Sequence, residues 1–97
     1  FLNNKNLKMD KATLKEQLKK QIIEYLNLSP MPVEDIKDDT PLFGEGLGLD
    51  SIDSLELIVM LKREYGITIH DPKEGRRILI DVETMAEFIQ QQEAMKK

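Results

Sequence analysis

The strongest constraint on what this 97-residue chain can fold into is the stretch Gly46 to Tyr65, GLGLDSIDSLELIVMLKREY, where a glycine-broken loop runs straight into a long amphipathic segment. With Ile52 at zero and an advance of about 100° per residue, Leu57, Ile58, Leu61 and Tyr65 share a sector of roughly 140° to 240°. That is the face a helix buries against a core. Ile52, Leu55 and Val59 gather on nearly the opposite side, beside Asp53, Glu56, Lys62 and Arg63. A helix with two apolar stripes is either buried all round or serves a core and a partner at once. Burying Asp53 or Glu56 unpaired is costly, so the outer stripe reads as a partner surface. Ser51 stands at the junction of loop and helix.

The rest of the chain supplies the core for that helix. Asp10 is a plausible N-cap, after which Leu14, Leu18, Ile22, Tyr25 and Leu26 trace the apolar stripe of a first long helix ending near Asn27. Ser29-Pro30-Met31-Pro32 stops it. The connection from Asn27 to Asp50 is longer than a usual helix-to-helix link and must be pinned, with Val33, Ile36, Leu42, Phe43 and Leu47 as the expected buried pins. Within it, Thr40-Pro41-Leu42-Phe43 suits a single helical turn with Thr40 as cap and Pro41 at the first position.

Gly66 after Tyr65 ends the central helix. Ile67-Thr68-Ile69 alternates like a strand but has no strand to pair with, so it reads as an extended linker whose isoleucines plug the core. Asp71-Pro72-Lys73-Glu74 is a helix start and Gly75 limits its length, giving a short third helix with Ile78 and Leu79 inward. Asp81 caps a last helix with Val82, Met85, Ala86 and Ile89 inward and Phe88 flanking. The fold class is therefore all-α, a four-helix bundle of three long helices and one short, with a long first loop. Residues 1–9 are expected to be a tag or disordered extension, residues 10–90 the domain, and residues 91–97 a polar tail that frays.

Composition excludes several functions. A net charge of -4 argues against nucleic-acid binding, for which a basic stripe is the usual footprint, and favours basic protein partners. There is no Cys, so neither a disulfide framework nor a thiolate metal site is available. His70 is lone, in a polar loop, and is expected on the surface without a metal. No apolar run approaches the roughly 18 residues of a membrane span, and no signal-peptide core is visible, so a cytoplasmic location is expected. Gly44-Glu45-Gly46 begins like a dinucleotide fingerprint, but Leu49 stands where a third glycine is required. A P-loop lysine is absent, and Asp35 to Gly46 fails as a calcium loop because Lys37 occupies a ligand position. With no metal cluster, no nucleotide loop and no acid-base constellation, the chain is not expected to be an enzyme.

Leu49-Asp50-Ser51-Ile52-Asp53-Ser54-Leu55-Glu56 resembles the modification motif of acyl carrier proteins, in which the serine of Asp-Ser-Leu bears 4'-phosphopantetheine. Ile52 replaces the leucine and keeps its apolar role. The resemblance runs from about Lys11 to Ile89 and is strongest between Phe43 and Ile69. It implies an acyl-carrier-like bundle, a covalent 4'-phosphopantetheine on Ser51, with Asp50 beside it in the cofactor-binding motif, and an acyl intermediate held as a thioester. A phosphopantetheinyl transferase would install the arm, and ketosynthases and other fatty-acid or polyketide-type enzymes would use the cargo. Ile52, Leu55 and Val59 would form the docking contact, with Asp50, Asp53 and Glu56 as its acidic rim. The chain is expected to act as a monomer. The wording Leu42 to Ser51 is similar to discrete carriers of specialised pathways such as those making aryl polyenes.

A helix start also suits this chemistry physically, because first-turn N–H groups and the helix dipole favour a phosphodiester. Two other readings stay open at this point: an unmodified helical adaptor in which Ser51 merely caps the helix, and a peptidyl carrier. Lys62 and Arg63 break the acidic run that the family often continues, which implies a restricted set of partners. Arg76 and Arg77 are a second departure, read as a solvated face. Flexible Met60 and Met85 could yield space to cargo, the alternative being that these residues simply pack; the sequence does not decide between them.

Overall fold

The computed structural model describes residues 10–95, and the expected extension over residues 1–9 lies outside the described residues. The Asp10 carboxylate accepts the Thr13 amide at 3.0 Å and starts α1, Lys11–Tyr25. Its stripe of Leu14, Leu18 and Ile22 is buried. Asn27 then takes a positive φ of 56°, a conformation asparagine tolerates better than most residues, and the chain leaves the helix.

The central helix α2 is Ser51–Tyr65, closed by Gly66 in the left-handed conformation with its amide on the Lys62 carbonyl at 3.0 Å. The short α3 is Pro72–Ile78, started by Asp71, whose carboxylate accepts the Lys73 amide at 3.0 Å. The last helix α4, Val82–Met95, is capped by Asp81 on the Thr84 amide at 2.8 Å. Leu14, Leu18 and Ile22 meet Leu57, Met60, Leu61, Val82, Met85, Ala86 and Ile89 in one buried cluster. The packing is uneven: α1 seats most extensively on α4 and then on α2, whereas α3 rests mainly on α4. Among the described residues the result is the four-helix, strand-free bundle that the periodicity requires.

The long loop departs from expectation in detail. Its helical turn is a 3-10 turn at Val33–Asp35, not one at Thr40 to Phe43. The reason is tertiary: the Leu42 amide bonds to the Ile80 carbonyl at 2.9 Å and the Leu42 carbonyl accepts the Leu49 amide at 3.1 Å, so its backbone groups are committed to other segments and not to a local helical turn. Ile36 and Leu42 are buried as expected, but Val33, Phe43 and Leu47 are only half-buried, and Leu49 joins the core instead. Ile67 plugs the core, while Ile69 is half-buried. The helix α4 continues through Met95, past the point where a frayed tail was expected to begin.

Charge laces the back of the bundle. Lys11 pairs with Glu83 and Glu87, Lys15 with Asp38 at 2.8 Å and Glu83 at 3.0 Å, and Lys19 with Asp38 at 2.9 Å. The far end of α2 is tied to α1 by the Tyr65 hydroxyl, which donates to Gln21 Oε1 at 2.7 Å. Burial pushes that phenol up to about 12, so it stays a neutral donor.

Candidate functional site

The loop before α2 is built to deliver Ser51. Gly44 and Gly48 adopt φ of 72° and 73°, which side-chain-bearing residues seldom do. Gly46 passes so close to Pro41 that a Cβ there would lie 1.8 Å from the Pro41 carbonyl oxygen. The same approach lets the Leu47 amide bond to that oxygen at 2.9 Å, so the loop folds back on itself and Leu42 and Leu49 anchor it.

The anchored loop feeds a reciprocal capping box. Asp50 Oδ1 accepts the Asp53 amide at 3.0 Å, and Asp53 Oδ2 accepts the Asp50 amide at 3.0 Å. Two of the donors at the helix entry are thereby satisfied. Asp50 is therefore the cap, and Ser51 is the first helical residue, exposed to solvent. Its carbonyl accepts the Ser54 hydroxyl at 2.6 Å, but no hydrogen bond among the described residues engages its own Oγ. The helix offers no acceptor for the amides of Ser51 and Ile52, which remain at the entrance.

Ser51 opens onto a cleft of about 980 Å³. One wall is α2, through Ile52, Ser54, Leu55 and Ile58, and the other is α3 with the turn after it, through Gly75, Arg76, Leu79 and Ile80. Pro41, Phe43 and Leu49 close one end, and Ile69, His70 and Asp71 the other side. The lining is predominantly apolar, as expected where α3 leans on α4 and stands off from α2. Gly75 is central to the gap: a Cβ there would lie in ordinary contact, 3.7 Å from Ile58 Cδ1 and 3.8 Å from Ile69 Cγ2.

The structure separates the predicted site residues into groups. Ser51 and Asp50 come together at the cleft mouth. Ile52, Leu55 and Val59 are 69%, 62% and 43% exposed, so the second stripe is a true surface feature. Glu56 is exposed beside them, whereas Asp53 is partly covered and engaged in the capping box. Met60 and Met85 are fully buried and do not line the cleft, so the space lies between α2 and α3 and not beside the methionines. Sequence reading missed Pro41, Ile58, Ile80, Gly75 and Arg76 as cleft residues. A glycine in a short helix followed by an arginine was the available signal for the last two.

Chemically, the arrangement offers a spare hydroxyl on an exposed helix start, with free amides suited to an anion and an apolar recess beside it. Among the described residues, no group of three His, Cys, Asp or Glu gathers into a metal site, and no helix is long and apolar enough to cross a membrane. A family model described as "Phosphopantetheine attachment site" matches residues 16–72, more than half of the chain.

Proposed function

Because the chain belongs to the phosphopantetheine-attachment-site family of carrier proteins, which carry covalent 4'-phosphopantetheine, we propose that it is an acyl carrier modified on Ser51. It would hold an acyl intermediate for enzymes of fatty-acid or polyketide type. The observation that carries this reading is the Ser51 hydroxyl: exposed, without a hydrogen bond among the described residues, and set at the mouth of an apolar cleft. The residues fit the group: the uncommitted amides of Ser51 and Ile52 and the positive end of α2 would favour a phosphodiester on Oγ. The arm supplies a terminal thiol on which an acyl group rides as a thioester.

The protein's own residues do the rest. The capping box of Asp50 and Asp53 fixes the first turn, so the backbone that carries the hydroxyl is held in place for a transferase. Ile52, Leu55 and Val59, with Asp50 and Glu56 at their edge, form a small docking surface that basic patches on partner enzymes recognise. A small contact with electrostatic steering suits a carrier that must bind and release repeatedly. The cleft lodges the apolar end of the cargo, at about 0.8 kcal/mol per buried methylene at most. The adaptor reading loses its main support because Asp50, not Ser51, caps the helix. The cargo that native enzymes load separates an acyl from a peptidyl carrier.

Coexpression with a broad-specificity phosphopantetheinyl transferase, followed by intact mass measurement, tests the proposal. The wild type is expected to gain the mass of one phosphopantetheine and Ser51→Ala none. No gain, or the same gain in Ser51→Ala, refutes it.

A further inference from the structure

The cleft contains a charge that a purely hydrocarbon cargo does not use. Asp50 and Asp71 line it, but their carboxylates cap α2 and α3 through the amides of Asp53 and Lys73. Arg76 also lines it, exposed, and no hydrogen bond or ion pair engages it among the described residues. The acids at the back of the bundle are taken by Lys11, Lys15 and Lys19. Its neighbour Arg77 is exposed too, yet does not line the cleft. The two arginines of one short helix are thus placed differently.

The position of Arg76 along α2 follows from Gly75, whose missing Cβ would lie 3.7 Å from Ile58 Cδ1. Ile58 lies seven residues after Ser51, about 10 Å of axial rise at 1.5 Å per residue. A guanidinium on a long flexible stem, starting one residue beyond that contact and lining the same cleft as Ser51, bridges much of that span. Its planar fork of donors matches the paired oxygens of a phosphodiester.

We propose that Arg76 is a positioning residue for the prosthetic arm: it contacts the anionic oxygens of the phosphodiester on Ser51 from the α3 side and biases the arm to lie in the cleft. This rests on the carrier reading above. The amides of Ser51 and Ile52 meet the phosphate from below, and Arg76 meets it from across the opening. The arm is then held over the apolar recess until a partner's basic surface competes for the phosphate. Salt weakens the contact, as it does any exposed charge pair.

The test uses the full-length holo protein. Intact mass first establishes modification at Ser51; its failure refutes the carrier reading and this inference with it. Given modification, the phosphorus-31 resonance and the rate at which the arm's thiol reacts with a disulfide reagent are compared in wild type, Arg76→Gln, Arg76→Lys and Arg77→Gln. Arg76→Gln is expected to move the resonance and to raise the thiol rate about two- to fivefold at low salt, the range of an exposed ion pair. Arg76→Lys restores part of the effect, and Arg77→Gln leaves both readouts at the wild-type values. Arg76→Gln matching wild type overturns the inference while leaving the carrier reading intact. So does an effect equal in Arg77→Gln, or one that arises only when the loaded acyl group ends in a carboxylate.

Discussion

Removing the Asp50 carboxylate separates the residue that mounts the serine from the serine itself. Asp50→Ala deletes the acceptor of the Asp53 amide, 3.0 Å away, and the negative charge at the positive end of α2. Loss of such a cap costs about 1 kcal/mol, up to about 2. A domain of this size loses about 4–8 °C of melting temperature per kcal/mol, so a fall of roughly 5–15 °C is expected. Ser51→Ala breaks no side-chain hydrogen bond and leaves the carbonyl that Ser54 uses, so its stability stays within about 0.5 kcal/mol of wild type. Asp53→Ala removes only the return bond to the Asp50 amide, and the double variant gives a coupling of about 0.5–1 kcal/mol. Chemical denaturation of the unmodified proteins, monitored by circular dichroism, reads all four. If Ser51→Ala costs as much as Asp50→Ala, the serine is a cap and the argument that its oxygen is spare is wrong.

Gly46→Ala is expected to destabilise by about 2 kcal/mol or more, because the new methyl would collide with the Pro41 carbonyl and break the Leu47 bond; a melt within 2 °C of wild type refutes this. Hydrogen bonds from Lys11 and Lys15 hold the Glu83 carboxyl below its usual 4.5, and those from Lys15 and Lys19 hold Asp38 below its usual 3.8. Their contribution is therefore present above those values and is lost as pH falls through the lower folded ones. Melting temperatures from pH 7 to pH 2.5 should fall less steeply in Lys15→Ala than in wild type, and parallel curves would contradict it. Ile52→Asp and Leu55→Asp, at exposed positions, should leave stability within about 0.5 kcal/mol while lowering turnover by any ketosynthase that accepts the wild-type protein. A fatty-acid ketosynthase should also turn over this carrier more slowly than a housekeeping one, given Lys62 and Arg63 on α2; equal turnover contradicts partner restriction.

Features governed by neighbours in sequence were legible. Asp10, Asp71 and Asp81 cap their helices, Gly66 ends α2, and the stripes of α1 and α4 point inward, because each depends on one turn or one period. The exposure of Ile52, Leu55 and Val59 followed from the same wheel. What failed depended on contacts between distant segments. Thr40 to Phe43 has the local signature of a helical turn, yet the Ile80 carbonyl, some forty residues away, takes the Leu42 amide. The cleft could not be placed from the sequence, in which Met60 and Met85 were open either to yielding space or to simply packing, as they do. Its actual place is set by how far α3 stands from α2, which no single-helix pattern encodes. Asp50 and Asp53 were read as a docking rim, and their mutual hydrogen bonds give them a structural duty as well.

The unequal seating of the helices divides the bundle into a seam of three long helices and one short helix set to the side. The seam joins α1, α2 and α4 in one buried cluster, with Lys11 and Lys15 of α1 paired to Glu83 of α4. The short helix is α3, seven residues long, with Ile78 and the following Leu79 buried. The cleft is walled by that helix on one side, so its width depends on where α3 sits, while the capping box that mounts Ser51 belongs to the start of α2 alone.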